Sequence, residues 1–324
     1  MARLAAVTGA TGFLGGHIVS SLIAAGWQVR ILARRIRDYP QLADLTFETV
    51  LGDLADRRAL DRLVDGADIV IHAAGLTKAP DAATFRAVNV GGTANLVAAL
   101  SDAVSPKHLI FVSSMVAREP HLSAYAESKS EAEKALSNLC RGRCSVARPC
   151  AVYGPWDREI LAIFRGAVRG VFPLAGPRRG RVALIHAADA AGGIVSLCDN
   201  EEAGRVFELT DGRIDGYRWD EIAGAAEKAI ENNILKVPVP ALAVHATAAV
   251  NMLAARLVGR TPMLTLGKAR ELLHPDWRSA AERQPPRSLW QPRIGLGEGF
   301  RDTVSWYRER GWLPARRLGP RDAP

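Results

Sequence analysis

The residues best suited to chemistry in this chain are Tyr125 and Lys129, in the run Tyr125-Ala126-Glu127-Ser128-Lys129. Four apart, they share one face of a helix. An ammonium beside a phenol favours tyrosinate and lowers its pKa from about 10, which lets it exchange a proton with a carbonyl oxygen near neutral pH. The bland alternative is an exposed helix pair, so the spacing needs company. Upstream, the β-rich run 109–113 ends in Ser113-Ser114, at the strand edge where open α/β sheets bind ligands. A hydroxyl there is placed to hold a substrate oxygen. Neither serine lies in a Gly-x-Ser-x-Gly elbow, which disfavours a hydrolase.

A second constellation is Thr8-Gly9-Ala10-Thr11-Gly12-Phe13-Leu14-Gly15. A strand runs into it and a helix runs out. Gly9, Gly12 and Gly15 let the backbone turn tightly and approach a diphosphate, whose charge sits at the helix N-terminus. Thr11, Phe13 and Leu14 belong to the same dinucleotide-binding loop. The glycine spacing alone is common in α/β proteins; the strand–turn–helix context gives it force. The second strand ends Ile31-Leu32-Ala33-Arg34-Arg35, with no carboxylate before Asp38. NAD binders place an acidic residue there for the ribose hydroxyls, whereas arginine suits the 2′-phosphate of NADP. Arg34 and Arg35 therefore favour NADP(H) over NAD(H), against the alternative of a surface charge pair. After the third strand, Asp53-Leu54 offers a carboxylate to an adenine amino group. After the fourth, Ala73-Ala74-Gly75 supplies small residues where a bulky cofactor must pass. Each alone is ordinary turn chemistry, but their order behind the glycine turn is hard to reach by coincidence.

The elements that must position these residues alternate along the first half of the chain. Strands are expected at 4–7, 28–33, 47–50, 69–72, 109–113 and 145–148, and helices at 13–25, 55–64, 82–100 and 124–139. This rhythm predicts an α/β fold with a Rossmann-type doubly wound parallel sheet. After Pro149 the rhythm breaks at Pro155, Pro173 and Pro177, and one more strand and helix, 182–186 and 187–198, are expected to return to the sheet. The division is a dinucleotide-binding domain over 1–152, rejoined by about 181–200, and a smaller, mostly helical substrate domain over 153–180 and 201–314. That second domain carries a strand at 206–209 and a helix at 218–230. Residues 315–324 read as a frayed tail. Residues 237–255 carry no formal charge, yet their prolines and alanines make a poor spanning helix. A packed or surface-lying helix is expected there, with a lid over an apolar substrate as the sharper reading.

Composition removes several function classes. The 324 residues suit about two domains. With 48% hydrophobic and 23% charged residues the chain is an ordinary globular one. Four cysteines make no disulfide scaffold, and Cys140, Cys144 and Cys150 lack a zinc pattern, so buried or inert thiols are expected. Met1-Ala2-Arg3 leads straight into a run too short for a signal core, which points to a reducing, cytoplasmic setting. The 42 Lys+Arg against 34 Asp+Glu give a net charge of +8. The arginines are spread in twos without a nucleic-acid motif, so no nucleic-acid partner is expected. The basic surface does tolerate peripheral contact with the inner face of an anionic membrane.

Together, Thr8–Gly15, Asp53, 72–75, Asn89, Ser113-Ser114, Tyr125/Lys129 and Arg148-Pro149-x-x-Val152-Tyr153-Gly154-Pro155 resemble the extended short-chain dehydrogenase/reductase (NAD-dependent epimerase/dehydratase) superfamily over nearly the whole chain, Trp306-Tyr307 included. The resemblance implies an NAD(P)-dependent oxidoreductase with Tyr125 as acid/base and Lys129 as ribose ligand and pKa modulator. It makes Ser114 the carbonyl orienter, with Ser113 second choice, and Asn89 the buttress of the site, while Pro149 and Val152 line the nicotinamide. The short interval from Ser114 to Tyr125 is similar to a short-looped branch that includes an accessory subunit of respiratory NADH–ubiquinone oxidoreductase, which keeps a non-catalytic assembly role in view. Arg181 could imitate the diphosphate grip of nucleotide-sugar epimerases and dehydratases. Arg34 resembles its counterpart in reductases of steroid-like ketones. Gly259-Arg260-Thr261-Pro262-Met263-Leu264-Thr265 and Glu271-Leu272-Leu273-His274-Pro275-Asp276-Trp277 resemble bacterial lipid-ketone reductases, those of ceramide type best. That resemblance implies NADPH-dependent reduction of a ketone on a hydrophobic lipid, by a monomer or homodimer, with no metal.

Overall fold

The computed structural model describes residues 3–35, 39–102, 108–139, 144–199, 204–259, 261–262 and 264–315. The first half runs β1 (Leu4–Thr8), α1 (Phe13–Ala24), β2 (Gln28–Ala33), β3 (Glu48–Leu51), α2 (Arg57–Val64), β4 (Ile69–His72), α3 (Ala82–Phe85), α4 (Gly92–Asp102), β5 (His108–Val112), α5 (Ala124–Leu139) and β6 (Cys144–Pro149). Then come β7 (Ala151–Tyr153), α6 (Leu161–Val168), β8 (Val171–Leu174), β9 (Arg181–Val182), β10 (Leu184–His186), α7 (Ala187–Ser196) and β11 (Val206–Leu209). The remainder is α8 (Trp219–Ile230), β12 (Leu235–Pro238), α9 (Ala241–Leu257), α10 (Leu266–Leu273), β13 (Asp276–Trp277) and α11 (Leu296–Glu309).

Seven strands form one parallel sheet in the order β11-β6-β5-β4-β1-β2-β3. The chain winds outward from β1 to β3, then crosses back to β4 and winds the other way. That reversal opens a crevice at the C-terminal ends of β1 and β4. The strands are apolar on both faces, as a covered parallel sheet demands. Ile18, Val19 and Leu22 of α1 join Ile194 of α7 in the core on one face. Leu60 and Leu63 of α2, Leu96 and Val97 of α4 and Leu136 of α5 fill the other. A third core, around Tyr153, Phe164, Phe172, Phe300 and Tyr307, belongs to the later part of the chain. His72 is fully buried between the layers, its ring nitrogens 2.6 Å from Thr8 Oγ1 and 3.0 Å from Thr93 Oγ1.

Four expectations change. The strand expected at 182–186 does not return to the main sheet: β10 pairs with β7 in a separate two-stranded ribbon. The strand that joins the sheet is β11, beside β6, while α7 still packs on the face that α1 covers. The single helix expected at 82–100 is interrupted by a π-helical segment, Arg86–Gly91, that holds Asn89. Cys144 and Cys150 are buried, as expected, but Cys144 is disulfide-bonded and not a free thiol, a pairing that sequence spacing neither shows nor excludes. Cys150 and Cys198 are free, and burial pushes both thiols up. Asp38, Cys140 and 316–324 of the tail lie outside the described residues.

Candidate active site

The glycine turn sits at the crevice mouth. Gly9 has φ +75°, and a Cβ there would meet the Ala73 carbonyl carbon at 2.5 Å, so β1 and β4 approach through backbone alone. A Cβ on Gly15 would lie 1.9 Å from Gly9 O, whereas one on Gly12 meets only Gly9 O, at 3.3 Å. Gly9 and Gly15 therefore hold the turn's shape, and Gly12 leaves open the space in front of it. Gly12 is the N-cap of α1 and supplies no side-chain cap, and no acidic residue occupies the first turn. The first N–H groups of a 12-residue helix are thus left for an anion. Thr11 is exposed beside them; Phe13 and Leu14 are half-buried. This cradle fits the diphosphate of a dinucleotide.

The rest of the groove follows the strand ends. Arg34 and Arg35 are exposed directly after β2. Asp53 folds back, its Oδ1 accepting from Ala55 N at 2.8 Å and Asp56 N at 3.2 Å, with Leu54 half-buried beside it. Ala73 N donates to Thr8 O at 3.1 Å and Ala74 N to Thr8 Oγ1 at 3.2 Å, which ties the small-residue run to β1. Pro149 ends β6, buried, and Val152 lies half-buried in β7.

The catalytic set converges on the N-terminal half of α5. The Ser114 hydroxyl is near enough to the Tyr125 phenol to favour its ionised form, and Phe85 packs its ring 5.9 Å from that of Tyr125. Lys129 is buried, and its Nζ donates to Val112 O at 2.9 Å and lies 4.8 Å from the centre of the Phe111 ring. Asn89 is buried and fully used. Its Oδ1 accepts from Leu76 N at 2.7 Å, and its Nδ2 donates to Leu76 O at 3.1 Å and Ser128 Oγ at 2.9 Å. The π-helical segment turns this amide out of helical register toward the site, a known use of such segments. A Cβ on Gly75 would stand 3.2 Å from Asn89 Oδ1 and 3.4 Å from Lys129 Nζ, so glycine keeps that approach clear. Ser113, the second choice, is turned away: its Oγ donates to Glu133, which also binds Arg148. Ser114 is the serine at the tyrosine.

One electrostatic expectation is reversed. Lys129 does not pull the Tyr125 phenol down; burial, and then the Glu271 carboxylate, push it well up, against a smaller lowering by Ser114. Lys129 spends its hydrogen bond on Val112 O, and burial lowers its own pKa to about 8. Tyr125 is thus a loaded acid at neutral pH.

Ser123 and Glu271 were not foreseen at the site. Ser123 Oγ accepts from Ala126 N at 3.0 Å, capping the helix that carries Tyr125, and donates to the buried Glu271. Arg270 Nε donates to Leu122 O at 2.7 Å, and Trp277 Nε1 to Glu271 O at 2.9 Å. Helix α10 is therefore fastened onto the catalytic helix. A serine just before a helix is a capping signal, but nothing in the sequence pairs it with a carboxylate 148 positions later.

The NAD dependent epimerase/dehydratase family matches residues 5–210. A ceramide reductase from Caulobacter vibrioides (strain NA1000 / CB15N) is 42% identical over 313 residues, 95% of this chain and 96% of the relative. A 4-hydroxy-2-methyl-3-oxo-4-farnesyl-3,4-dihydroquinoline-1-oxide ketoreductase from Stigmatella aurantiaca is 29% identical over 226 residues, 64% of this chain and 67% of that one. Among solved structures, a double mutant of the dTDP-glucose 4,6-dehydratase DesIV from Streptomyces venezuelae, with NAD and DAU bound, superposes with a TM-score of 0.69. It is 23% identical and covers 96% of this chain and 98% of its own, a likeness of fold.

Proposed function

The chain belongs to the NAD dependent epimerase/dehydratase family and is an NAD(P)-dependent oxidoreductase; from that premise we propose that it uses NADPH to reduce a ketone on a large apolar molecule, a keto-sphingolipid of ceramide type before a steroid. One observation carries the substrate class: identity of 42% to a ceramide reductase runs along 95% of the chain, so it includes the region that would meet substrate. The farnesyl ketoreductase supports the same class.

When bound, NADPH supplies the hydride for the carbonyl carbon. Ser114 Oγ and Tyr125 Oη receive the carbonyl oxygen, and Tyr125 gives it a proton, so the ketone becomes a secondary alcohol. A phenol pushed up by burial suits that direction, since it holds its proton until charge builds on the oxygen. We assign Lys129 to the ribose hydroxyls and Arg34, helped by Arg35, to the 2′-phosphate. Gly9, Thr11, Gly12, Phe13, Leu14 and Gly15 go to the diphosphate, and Asp53 and Leu54 to the adenine. Ala73, Ala74 and Gly75, with Pro149 and Val152, line the path to the nicotinamide, and Asn89 buttresses the site. In this reading the main sheet binds dinucleotide and the later, mostly helical part binds substrate. A lipid of this kind resides in membrane, so we place the enzyme at a bilayer, on the cytoplasmic side where reduced dinucleotide is regenerated.

The test offers long-chain 3-keto amides and UDP- or GDP-sugars while NADPH absorbance is followed. Keto-amide-dependent loss of NADPH is expected. Sugar conversion with no net loss of NADPH, and silence with every keto amide, would make the protein an epimerase; stoichiometric co-purification with a larger complex and no turnover would make it an accessory subunit.

A further inference from the structure

Large apolar side chains are exposed in one part of this molecule. Among the described residues, the exposed large hydrophobics other than Leu51 are Val171 of β8, Leu235 and Val237 of β12, a set on and just after α9, and Leu266 at the start of α10. Leu235 pairs with Val171 in the β8–β12 ribbon, so the ribbon and helix belong to continuous chain. Helix α9 is inverted relative to an ordinary surface helix. Its buried stripe is Val244, Ala248 and Ala255, of which Val244 and Ala248 pack on α10 in a small cluster apart from the main cores. Its outward stripe is Leu242, Val250, Leu253 and Leu257, exposed by 80, 67, 60 and 80%, with Val258 next at 65%. The larger side chains face out. Several large apolar side chains exposed along one helix face mark an interaction surface.

Charge selects the occupant. From 232 to 270 the chain carries Lys236, Arg256, Arg260, Lys268 and Arg270 and no Asp or Glu. Lys236 and Lys268 are paired with Glu227 and Glu271, at 3.5 and 3.0 Å, which leaves Arg256, at the C-terminal end of the apolar stripe, as the cation best placed to meet an anionic lipid surface, where such a charge adds about 1 kcal/mol. No helix in the described residues is long and apolar enough to cross a membrane, so contact of α9 with a bilayer would be along its surface. We propose that the outward face of α9, with the β8–β12 ribbon, docks onto anionic phospholipid and sets the active site beside it. Helix α10, under α9, is fastened to the start of the Tyr125 helix through Arg270 and Glu271. The proposal deepens the lipid-ketone reading and rests on it for the direction from which substrate arrives.

Co-sedimentation of the full chain with phosphatidylglycerol vesicles and with phosphatidylcholine vesicles tests it, using wild type and a Leu253→Asp/Leu257→Asp variant. Turnover of a short-chain, water-soluble keto amide is measured without vesicles. Wild type is expected to pellet with phosphatidylglycerol, less so in high salt, and poorly with phosphatidylcholine. The variant is expected to bind about a hundredfold more weakly, as for two exposed leucines lost from an apolar contact, with short-chain turnover unchanged. Wild type left in the supernatant with phosphatidylglycerol, or a variant that binds equally well, overturns the docking. So does a wild-type dimer that the variant converts to monomer, since a second copy would then cover the face. Vesicle binding that the variant loses, together with no turnover of any keto amide, would sink the substrate reading and leave the docking standing.

Discussion

Tyr125 works through what surrounds it. The phenol lies beside Ser114, and burial and the Glu271 carboxylate hold its proton on; no ammonium lowers it. Tyr125→Phe keeps the ring and removes only the transferable proton, so kcat should fall about a hundred- to ten-thousandfold while NADPH affinity changes little. Stopped-flow reduction and a dinucleotide titration separate the two; a variant with wild-type kcat would remove Tyr125 from the reaction. At the other end of the groove, Arg34 is exposed directly after β2. Arg34→Ala should weaken NADPH binding by about tenfold or more, the worth of a charge-assisted phosphate contact, and leave NADH binding alone. An equal loss for both dinucleotides, or a wild-type preference for NADH, contradicts the 2′-phosphate role. Both positions are readable as candidates from spacing and strand position. The direction of the Tyr125 shift is not, because it depends on burial and on a carboxylate from a distant helix.

At the scale of elements, the glycines of the β1–α1 turn divide into two kinds. A side chain at Gly15 would drive into Gly9 O, while one at Gly12 meets little protein. Gly12→Val should therefore fold, melt within a few degrees of wild type and fail to bind dinucleotide; Gly15→Val should fail to fold. Thermal melts with NADPH fluorescence titration check both, and dinucleotide affinity retained in folded Gly12→Val would overturn the assignment. His72 is the tie between β1, β4 and α4. Burial brings its pKa down from 6.5 to about 3, so between those values the unfolded chain binds a proton that the native imidazole refuses. This contribution to stability is intact above pH 6.5 and is lost progressively as pH falls toward 3, by up to about 5 kcal/mol. Urea unfolding across that range should show a slope that His72→Gln flattens; identical slopes would mean the imidazole is free to protonate. The turn and the first strands were readable because their signals are local in sequence. The exchange of β10 for β11 at the sheet edge was not, since both are short apolar runs and only long-range pairing tells them apart.

Across the whole molecule, the sheet and the later region are joined by charge as well as by packing. Glu208 on β11 is completely buried, yet it accepts from Ser279 Oγ at 2.8 Å and Arg283 Nη1 at 3.0 Å and lies 3.7 Å from Arg118 and 3.9 Å from Arg148. These contacts fix the segment just after Trp277, whose indole N–H holds the Glu271 carbonyl, and Glu271 in turn meets the Ser123 cap of the catalytic helix. No pattern in the sequence announces this series, because each link joins residues far apart and a lone Glu in a strand reads as a solvated charge. Its removal leaves Arg148 and Arg118 without one of their compensating charges, and breaking a buried pair in this way costs about 3 kcal/mol or more. Glu208→Ala should therefore lower unfolding free energy by at least that much. It should also loosen the 278–284 segment to proteolysis and raise KM for the ketone more than it weakens NADPH binding, since the dinucleotide groove lies at other strand ends. Should Glu208→Ala resist denaturant and protease as wild type does, the carboxylate is dispensable, and the cover over Tyr125 is held by α10 packing alone.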